Sequence, residues 1–238
     1  MKDIVAVIAK MMAQAGITAE DIRKAEGIAP EPVRVRSWQE GFDERFDAVY
    51  PPAWNFRKLE TAENEQAFAD AKEWLSVFQQ AYAAGGRRLP NALITGDFGT
   101  GKTCLAGAMM RECQRAGACA SLVTLYALLS GFWSKVPEEK AEARYEALER
   151  RRMLVIDEAV GSACGMAPAQ EQELGMLLRA RAAKGLSTVL VTNCPASMLE
   201  AACSAFLYSS ILEMRPKVIT LTGACRRRPL ADIGDSWK

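Results

Sequence analysis

Residues 96 to 103 combine glycine, lysine and threonine at a spacing suited to binding a triphosphate. Gly96, Gly101, Lys102 and Thr103 fit the P-loop pattern G-x-x-x-x-G-K-S/T without a mismatch. A loop rich in glycine can turn several backbone N–H groups toward phosphate oxygens, and the helix beginning near Lys102 adds its positive end. We expect the Lys102 ammonium to reach the β- and γ-phosphates and the Thr103 hydroxyl to bind Mg²⁺.

The segment therefore predicts a site for ATP with Mg²⁺. A glycine-rich turn that binds nothing is the structural alternative, which the complete match in a strand–loop–helix context disfavours. The predicted nucleotide-binding residues of this loop are Gly96, Asp97, Phe98, Gly99, Thr100, Gly101, Lys102, Thr103 and Cys104.

A second motif follows downstream, where an apolar run beginning at Met153 ends in the two carboxylates Asp157 and Glu158. This is the Walker B pattern. We expect Asp157 to hold Mg²⁺ through its water shell, and Glu158 to orient and polarise the attacking water as a general base. Apolar strands also end in acidic residues that only face solvent, but the P-loop upstream favours the catalytic interpretation.

A third polar residue, Asn193, ends a β-branched run that begins at Ser187. At the tip of such a strand its amide would lie between the two carboxylates and the γ-phosphate, although asparagine is also an ordinary turn residue. The predicted catalytic residues are thus Lys102, Glu158 and Asn193, and the predicted metal ligands are Thr103 and Asp157.

Apolar periodicity predicts the elements that position these groups. Strands are expected at residues 93–95, 121–125, 153–156, 187–192 and 218–221. Helices are expected at residues 64–83, 102–115, 127–133, 138–151 and 170–184. Strands alternating with helices indicate an α/β fold with a parallel sheet.

Composition limits the remaining possibilities. Net charge is +1, there is no histidine, and the seven cysteines form no C-x-x-C pair, which disfavours a zinc cluster and favours free buried thiols in a reducing cytosol. No apolar run is long enough to cross a membrane, so we expect a soluble cytoplasmic protein. Guanine-binding, transporter-type and nucleoside-kinase patterns are missing from the sequence.

Residues 1–50 predict a small helical region and a linker, ahead of an ATPase domain at residues 51–238. Two short helices within residues 3–26 would form a hairpin that docks on a partner protein. A DNA-reading helix-turn-helix is the alternative, but the second helix carries only two basic residues beside three acidic ones.

Two aromatic segments have open interpretations. Trp54 and Phe56 belong either to the core or, as we assign Phe56, to a wall of the adenine pocket. After the second strand, aromatic residues mix with cations that include Lys135 and Arg144, which is typical of contact with single-stranded nucleic acid.

With these motifs in hand, residues 51–238 resemble the AAA+ ATPases of the DnaC/DnaI helicase-loader and IstB transposition-helper group. The matching segments are P-P-x-W-x-F, G-D-F-G-T-G-K-T-C-L-A, L-V-I-D-E, V-T-N and V-I-T-L-T-G-A-C-R-R-R. The resemblance implies a five-stranded parallel sheet flanked by helices and ATP-dependent assembly into a spiral or ring. It also implies single-stranded DNA contacts at Lys135 and Arg144, and docking of the N-terminal region on a DnaB-type replicative helicase.

The sequence departs from the group between its fourth and fifth strands. An arginine that reaches the neighbouring subunit's ATP is expected there in a D-R-L/M-like stretch, but this chain has Ser209-Ser210 instead. Arg215 or Arg181 would have to replace it. Arg227 falls on the arginine of the group's V-I-x-x-x-G-x-S-Y-R ending and is assigned to the γ-phosphate in cis, with Arg226 or Arg228 as the neighbouring alternatives.

The function expected from this resemblance is a weak ATPase that loads a replicative helicase onto single-stranded DNA. One alternative is an ATPase helper of DNA transposition. Another, from a different class, is an adaptor or decoy that binds ATP without turning it over, because the arginine is missing.

Overall fold

The computed structural model describes residue 56 and residues 62–133, 151–160 and 166–225. Five strands form the sheet: β1 (Ala92–Gly96), β2 (Ala120–Thr124), β3 (Met153–Asp157), β4 (Ser187–Val191) and β5 (Lys217–Leu221). The helices are α1 (Glu65–Ala83), α2 (Lys102–Arg115), α3 (Leu125–Trp133), α4 (Pro168–Ala183), α5 (Leu199–Ala202) and α6 (Ala205–Glu213), with 3₁₀ turns at Ala62–Asn64 and Ala196–Met198.

All neighbouring strands of this sheet are parallel, in the order β2-β3-β4-β1-β5. The predicted five-stranded parallel sheet is confirmed. Strand β4 lies between the P-loop strand β1 and the Walker B strand β3. Since parallel strands share a carboxyl edge, the ends of β1, β3 and β4 lie side by side there.

The sheet is covered by helices on both faces, and this explains the composition of its strands. Every residue of β3 and β4 is buried, as expected for strands covered on both sides. Helix α1 buries the predicted stripe that includes Phe68, Trp74 and Phe78, each contributing about 1.5–3 kcal/mol. The Trp74 indole also donates to the Asn91 carbonyl at 3.0 Å.

Two short helices, α5 and α6, were not predicted. Helix α6 begins after Ser204, whose hydroxyl accepts from the Leu207 amide at 3.3 Å as an N-cap. Its buried residues Leu207 and Ile211 are four positions apart and join the same core cluster as Leu177 of α4. In the sequence, Ser204 and the four-residue spacing of the apolar positions indicated this helix. Because the helix is only nine residues long, its apolar pattern was too short to predict it.

Helix α4 begins two residues before its predicted start. Pro168 occupies the first helical turn, where a missing N–H costs little. The Gln170 side chain accepts from the Ala167 amide at 3.0 Å, which satisfies a group at the helix entrance.

The cysteines differ from expectation in their exposure. Cys113 and Cys194 are buried, and burial raises the pKa of both thiols. Cys119 and Cys225 are exposed, so the expectation of buried thiols was wrong for these two.

Within the described residues, no helix has the length and apolar character to cross a membrane. Residues 1–50 and all but the last residue of the helix predicted at 138–151 lie outside the described residues, and that last residue, Arg151, is not helical.

Two glycines with left-handed backbone provide a matched test of the fold. A Cβ added to Gly185 (φ +67°) would lie 2.1 Å from the Arg87 carbonyl oxygen, whereas one added to Gly117 (φ +87°) would meet nothing within 4 Å. We expect Gly117→Ala to lower the free energy of unfolding by about 1 kcal/mol, from backbone strain alone. Gly185→Ala should lower it by about 3 kcal/mol or more, because the clash adds to the same strain. Urea unfolding followed by circular dichroism measures both, and equal losses would contradict the close contact.

Candidate nucleotide-binding site

A cavity of about 540 Å³ opens at the carboxyl edge of the sheet. The loop after β1, the end of β3 and the end of β4 all contribute to it. The residues that line it are Phe68, Phe98, Gly99, Thr100, Gly101, Lys102, Thr103, Cys104, Asp157, Glu158, Val191, Thr192, Asn193 and Leu221. The structure thus brings the P-loop, both Walker B carboxylates and Asn193 around one space.

The P-loop takes a shape that its glycines make possible. Gly96 (φ +142°) lies against the end of β5, where an added Cβ would be 2.1 Å from the Leu221 carbonyl oxygen. Gly99 (φ +78°) lies against Cys225, and its Cβ would be 2.3 Å from that thiol sulfur. A side chain at either position would force the loop away from the segment that follows β5.

Two short hydrogen bonds brace the inside of this loop. The Thr100 hydroxyl donates to the Asp97 carbonyl at 2.9 Å, and the Lys102 ammonium donates to the same oxygen at 2.6 Å. Lys102 is buried and begins helix α2. A phosphate group bound in the cavity would therefore contact the Lys102 ammonium, which is already held at the N-terminus of helix α2.

The Thr103 hydroxyl donates to the Asp157 carboxylate at 2.8 Å. The other oxygen of this buried carboxylate accepts from the Glu158 amide at 2.9 Å. A hydroxyl and a carboxylate beside a phosphate cradle are the oxygen ligands that Mg²⁺ uses. The described residues contain no cluster of three or more acidic, cysteine or histidine side chains able to hold a metal. Mg²⁺ suits a site with only the Thr103 hydroxyl and the Asp157 carboxylate, because it usually takes one or two protein ligands together with substrate phosphates and water.

Glu158 extends into the cavity from a strained backbone. Its φ is +58°, in the left-handed region that costs a non-glycine residue about 1–2 kcal/mol. The next amide, of Ala159, donates to the Val191 carbonyl of β4 at 2.9 Å and fixes the turn. Side chains held in such backbone conformations cluster at functional sites, and Glu158 is exposed toward the cavity it lines.

The tip of β4 is fixed from three sides, and this positions Asn193. The Thr192 amide donates to the Ile94 carbonyl of β1 at 2.9 Å. Its hydroxyl donates to the Val160 carbonyl beyond β3 and accepts from the Cys194 amide at 2.9 Å. Asn193 thus lines the cavity between the P-loop and Glu158.

Apolar walls complete the site, and sequence reasoning missed most of them. Phe68 lines the cavity, although its helical spacing had placed it in the core; Leu221 lines it from the end of β5. Phe56, which was assigned to the adenine pocket, is not among the residues that line the cavity; it packs edge-on against Phe68 with ring centroids 5.8 Å apart. A strand end beside a P-loop was the available signal for Leu221.

The predicted arginines fall in three different situations. Arg181 is fully buried and donates to the Thr188 hydroxyl at 2.9 Å, so its assignment as an arginine for a neighbouring subunit was wrong. Arg215 is exposed in the turn between α6 and β5, at the amino edge of the sheet and away from the cavity of its own chain. Arg227, Lys135 and Arg144 lie outside the described residues.

This fold and site define a P-loop nucleotide-binding protein with an additional strand between the P-loop and Walker B strands. Comparison with known proteins makes the class more specific. Residues 57–212 match the sequence model for IstB-like ATP binding proteins. Because that match covers more than half of the sequence, the chain belongs to the family of IstB-like ATP-binding proteins.

The sequence relatives match a limited segment. Two proteins of Bacteroides fragilis, each named "Insertion sequence IS21-like putative ATP-binding protein", are 36% identical over 72 residues and 38% identical over 69 residues. These segments cover 30% and 29% of this chain, and 36% and 26% of the two relatives. The chain therefore matches about a third or less of the length of these relatives.

Solved structures share the fold over a longer range. The DnaI crystal structure matches with a TM-score of 0.59 at 19% identity, over 73% of this chain and 90% of DnaI. The DnaC helicase loader matches with a TM-score of 0.59 at 17% identity, over 68% of this chain and 92% of DnaC. The replication initiator DnaA bound to AMPPCP and single-stranded DNA matches with a TM-score of 0.58 at 13% identity, over 73% of this chain and 51% of DnaA. The AAA+ fold predicted from the sequence is therefore confirmed.

The Thr103–Asp157 hydrogen bond predicts how two substitutions differ. Thr103→Val keeps the shape of the side chain but removes the hydroxyl, so we expect Mg²⁺-dependent ATP affinity to fall about tenfold or more. Thr103→Ser keeps the hydroxyl and should stay within about threefold of the wild type. Titration with a fluorescent ATP analogue, with Mg²⁺ and with EDTA, measures both. Equal ATP affinity of the valine and serine variants would show that the Thr103 hydroxyl does not bind Mg²⁺.

Proposed function

We propose that this protein binds and hydrolyses ATP and uses the bound nucleotide to control its association with DNA and a partner protein. The observation that carries the proposal is the 2.8 Å bond between Thr103 and Asp157. It joins the phosphate-binding loop to the Walker B strand in one cavity with Lys102 and Glu158. These are the groups needed to hold a triphosphate and direct water at its last phosphorus.

The residues divide the chemistry in a simple way. The Lys102 ammonium and the P-loop amides neutralise and orient the β- and γ-phosphates. The Glu158 carboxylate orients a water and accepts its proton as the oxygen bonds to the γ-phosphorus and the bond to the β-phosphate oxygen breaks, which yields ADP and phosphate. Asn193 donates to the γ-phosphate or the attacking water. Mg²⁺, held by Thr103 and Asp157, would neutralise charge on the phosphates.

Among the DNA-related roles, we place a helper of transposition first. The sequence relatives at 36% and 38% identity are IS21-like ATP-binding proteins of an insertion sequence. The likeness to DnaI and DnaC is below 20% identity and supports the fold alone. A helicase loader acting with a DnaB-type helicase is the second candidate, because the P-P-x-W-x-F segment and the arginine-rich ending resemble the whole group of helicase loaders and transposition helpers. In both cases residues 1–50 would dock on the partner protein.

A decoy that binds ATP without turning it over has less support. Glu158 lines the cavity beside Asn193, where a group that activates water would be needed.

Hydrolysis would be completed by an ATP-bound oligomer in which Arg215 reaches the neighbouring subunit's site. Mixing Lys102→Ala subunits with Arg215→Gly subunits would then restore turnover that neither shows alone. If the mixture shows no restored ATP turnover, Arg215 does not act in the neighbouring subunit's site.

Glu158→Gln separates binding from hydrolysis. The amide keeps the size of the side chain but cannot accept the proton from water, so we expect turnover to fall about 10²–10⁴-fold while ATP affinity stays within about threefold. Phosphate release and titration with a fluorescent ATP analogue measure the two quantities on the same preparation. Wild-type turnover no higher than that of Glu158→Gln would favour the decoy.

DNA strand preference separates the two leading roles. We expect the ATP-bound protein to bind a labelled duplex more tightly than either of its single strands, since a transposition helper marks double-stranded target DNA. Fluorescence anisotropy with a slowly hydrolysed ATP analogue measures both affinities at one salt concentration. Tighter binding of the single strand, with capture of a hexameric helicase from native cytoplasm, would favour the loader instead.

A further inference from the structure

Asn193 lies in a short connection between two regular elements. Strand β4 ends at Val191, and the 3₁₀ turn that follows begins at Ala196. The register between β1 and β4 ends at the pair Ile94–Val191, before Asn193 is reached. The Asn193 side chain nevertheless lines the nucleotide cavity. Contacts beyond the strand ladder must therefore hold this residue in place.

A hydroxyl on the β1 side holds the residue that follows Asn193. The Thr95 hydroxyl donates to the Cys194 carbonyl at 2.6 Å, and Thr95 is buried. Thr95 directly precedes Gly96, where the P-loop begins. This hydrogen bond therefore ties the connection after β4 to the strand that leads into the P-loop.

A second hydroxyl holds the residue before Asn193 from the opposite side. The Thr192 hydroxyl donates to the Val160 carbonyl, and the same oxygen accepts from the Cys194 amide at 2.9 Å. Val160 lies two residues after Glu158, in the segment that follows β3. The backbone of Asn193 is thus held by one hydroxyl bond toward the P-loop strand and by another toward the Walker B strand.

The strand itself does not need the Thr95 hydroxyl. The three residues before it in β1 are apolar and buried: Ala92, Leu93 and Ile94. A buried hydroxyl costs free energy unless it is hydrogen-bonded, whereas valine has a similar shape, favours strands and carries no polar group. What the hydroxyl adds is a fixed position for its acceptor, the carbonyl next to Asn193.

The position of the Asn193 amide matters for its proposed part in hydrolysis, a hydrogen bond to the γ-phosphate or to the attacking water. A displacement of about 1 Å near the reacting atoms can lower a rate ~10²-fold. Hydrogen bonds behind a functional side chain keep it within about 0.5 Å of its productive position. Thr95 is not among the residues that line the cavity, so it would act on turnover through another residue.

We propose that Thr95 is a positioning residue for ATP hydrolysis, which holds the Asn193 amide in place through the Cys194 carbonyl. The inference rests on the proposed function. Because Thr95 directly precedes the P-loop, its hydrogen bond sets the position of the amide relative to the bound phosphates. The hydroxyl of Thr192 sets the position of the same amide relative to the segment that carries Glu158.

The test compares Thr95→Val, which keeps the shape of the side chain and removes the hydroxyl, with Thr95→Ser, which keeps the hydroxyl. Phosphate release by the full chain, with and without duplex DNA, measures turnover, and titration with a fluorescent ATP analogue measures affinity. We expect Thr95→Val to lower kcat about tenfold while KM and ATP affinity stay within about threefold of the wild type. Thr95→Ser should stay within about threefold of the wild type in kcat as well.

A double-mutant cycle shows whether Thr95 acts through Asn193. In an Asn193→Ala protein the amide that Thr95 positions is gone, so adding Thr95→Val should change kcat by less than about twofold. An equal fractional loss of kcat in both backgrounds would show that the hydroxyl acts independently of Asn193, and this would overturn the proposal.

Ser187→Ala is the matched control for general loosening of the sheet. The Ser187 hydroxyl donates to the Pro90 carbonyl and so links β4 to the segment before β1, at the end of these strands that lies away from the cavity. Its loss should lower the urea midpoint of unfolding about as much as Thr95→Val does, but leave kcat within about twofold of the wild type. An equal loss of kcat in both variants would overturn the proposal.

The remaining outcomes separate this inference from the proposed function. Wild-type turnover that Thr95→Val leaves unchanged would overturn the role of Thr95 while leaving the proposed function standing. A wild type without turnover, with or without DNA, would contradict the proposed function and this inference with it. If Thr95→Val unfolds, Thr95→Ala replaces it, with the same expected loss of kcat and the same comparison in the Asn193→Ala protein.

Discussion

The contact between the Thr103 hydroxyl and the Asp157 carboxylate is the constraint on which the site depends. It joins the first turn of α2 to the end of β3, two strands away from the strand that leads into the P-loop. Strand β4 lies between β1 and β3 and sets the separation across which this bond forms. The same strand ends at Asn193, which lines the cavity, so its tip also delivers an amide to the site.

The rest of the P-loop depends on the strand at the other side of β1. Gly96 and Gly99 lie too close to Leu221 and Cys225 to accept a side chain, so the segment after β5 limits how far the loop can move. That segment is tied in turn to the start of the described domain, because the Asn64 side chain accepts from the Thr222 amide at 3.2 Å. Phe68, only four residues after Asn64, lines the same cavity. The cavity is therefore lined or bordered by residues from both the first and the last described segments of the ATPase domain.

The sequence predicted the parts of the site that are encoded in local patterns. The P-loop and the Asp157–Glu158 pair follow from short motifs whose backbone shape is set by their own residues, and the apolar strands follow from continuous burial. Properties that depend on tertiary contacts were not predictable. The burial of Arg181 arises from the way α4 packs beside β4, and a basic residue in a helix gives no sign of it.

The candidate triphosphate site thus lies at the carboxyl edge of the sheet, where the ends of β1, β3 and β4 meet. The central claim is that the carboxyl-edge cavity binds ATP through Lys102 with the aid of Mg²⁺. Isothermal titration calorimetry of the full chain with ATP tests it most directly, in the presence and absence of Mg²⁺. Saturable binding at one site per chain that is strengthened by Mg²⁺ and lost in Lys102→Ala is the expected result. No saturable heat, or equal binding by Lys102→Ala, would contradict it.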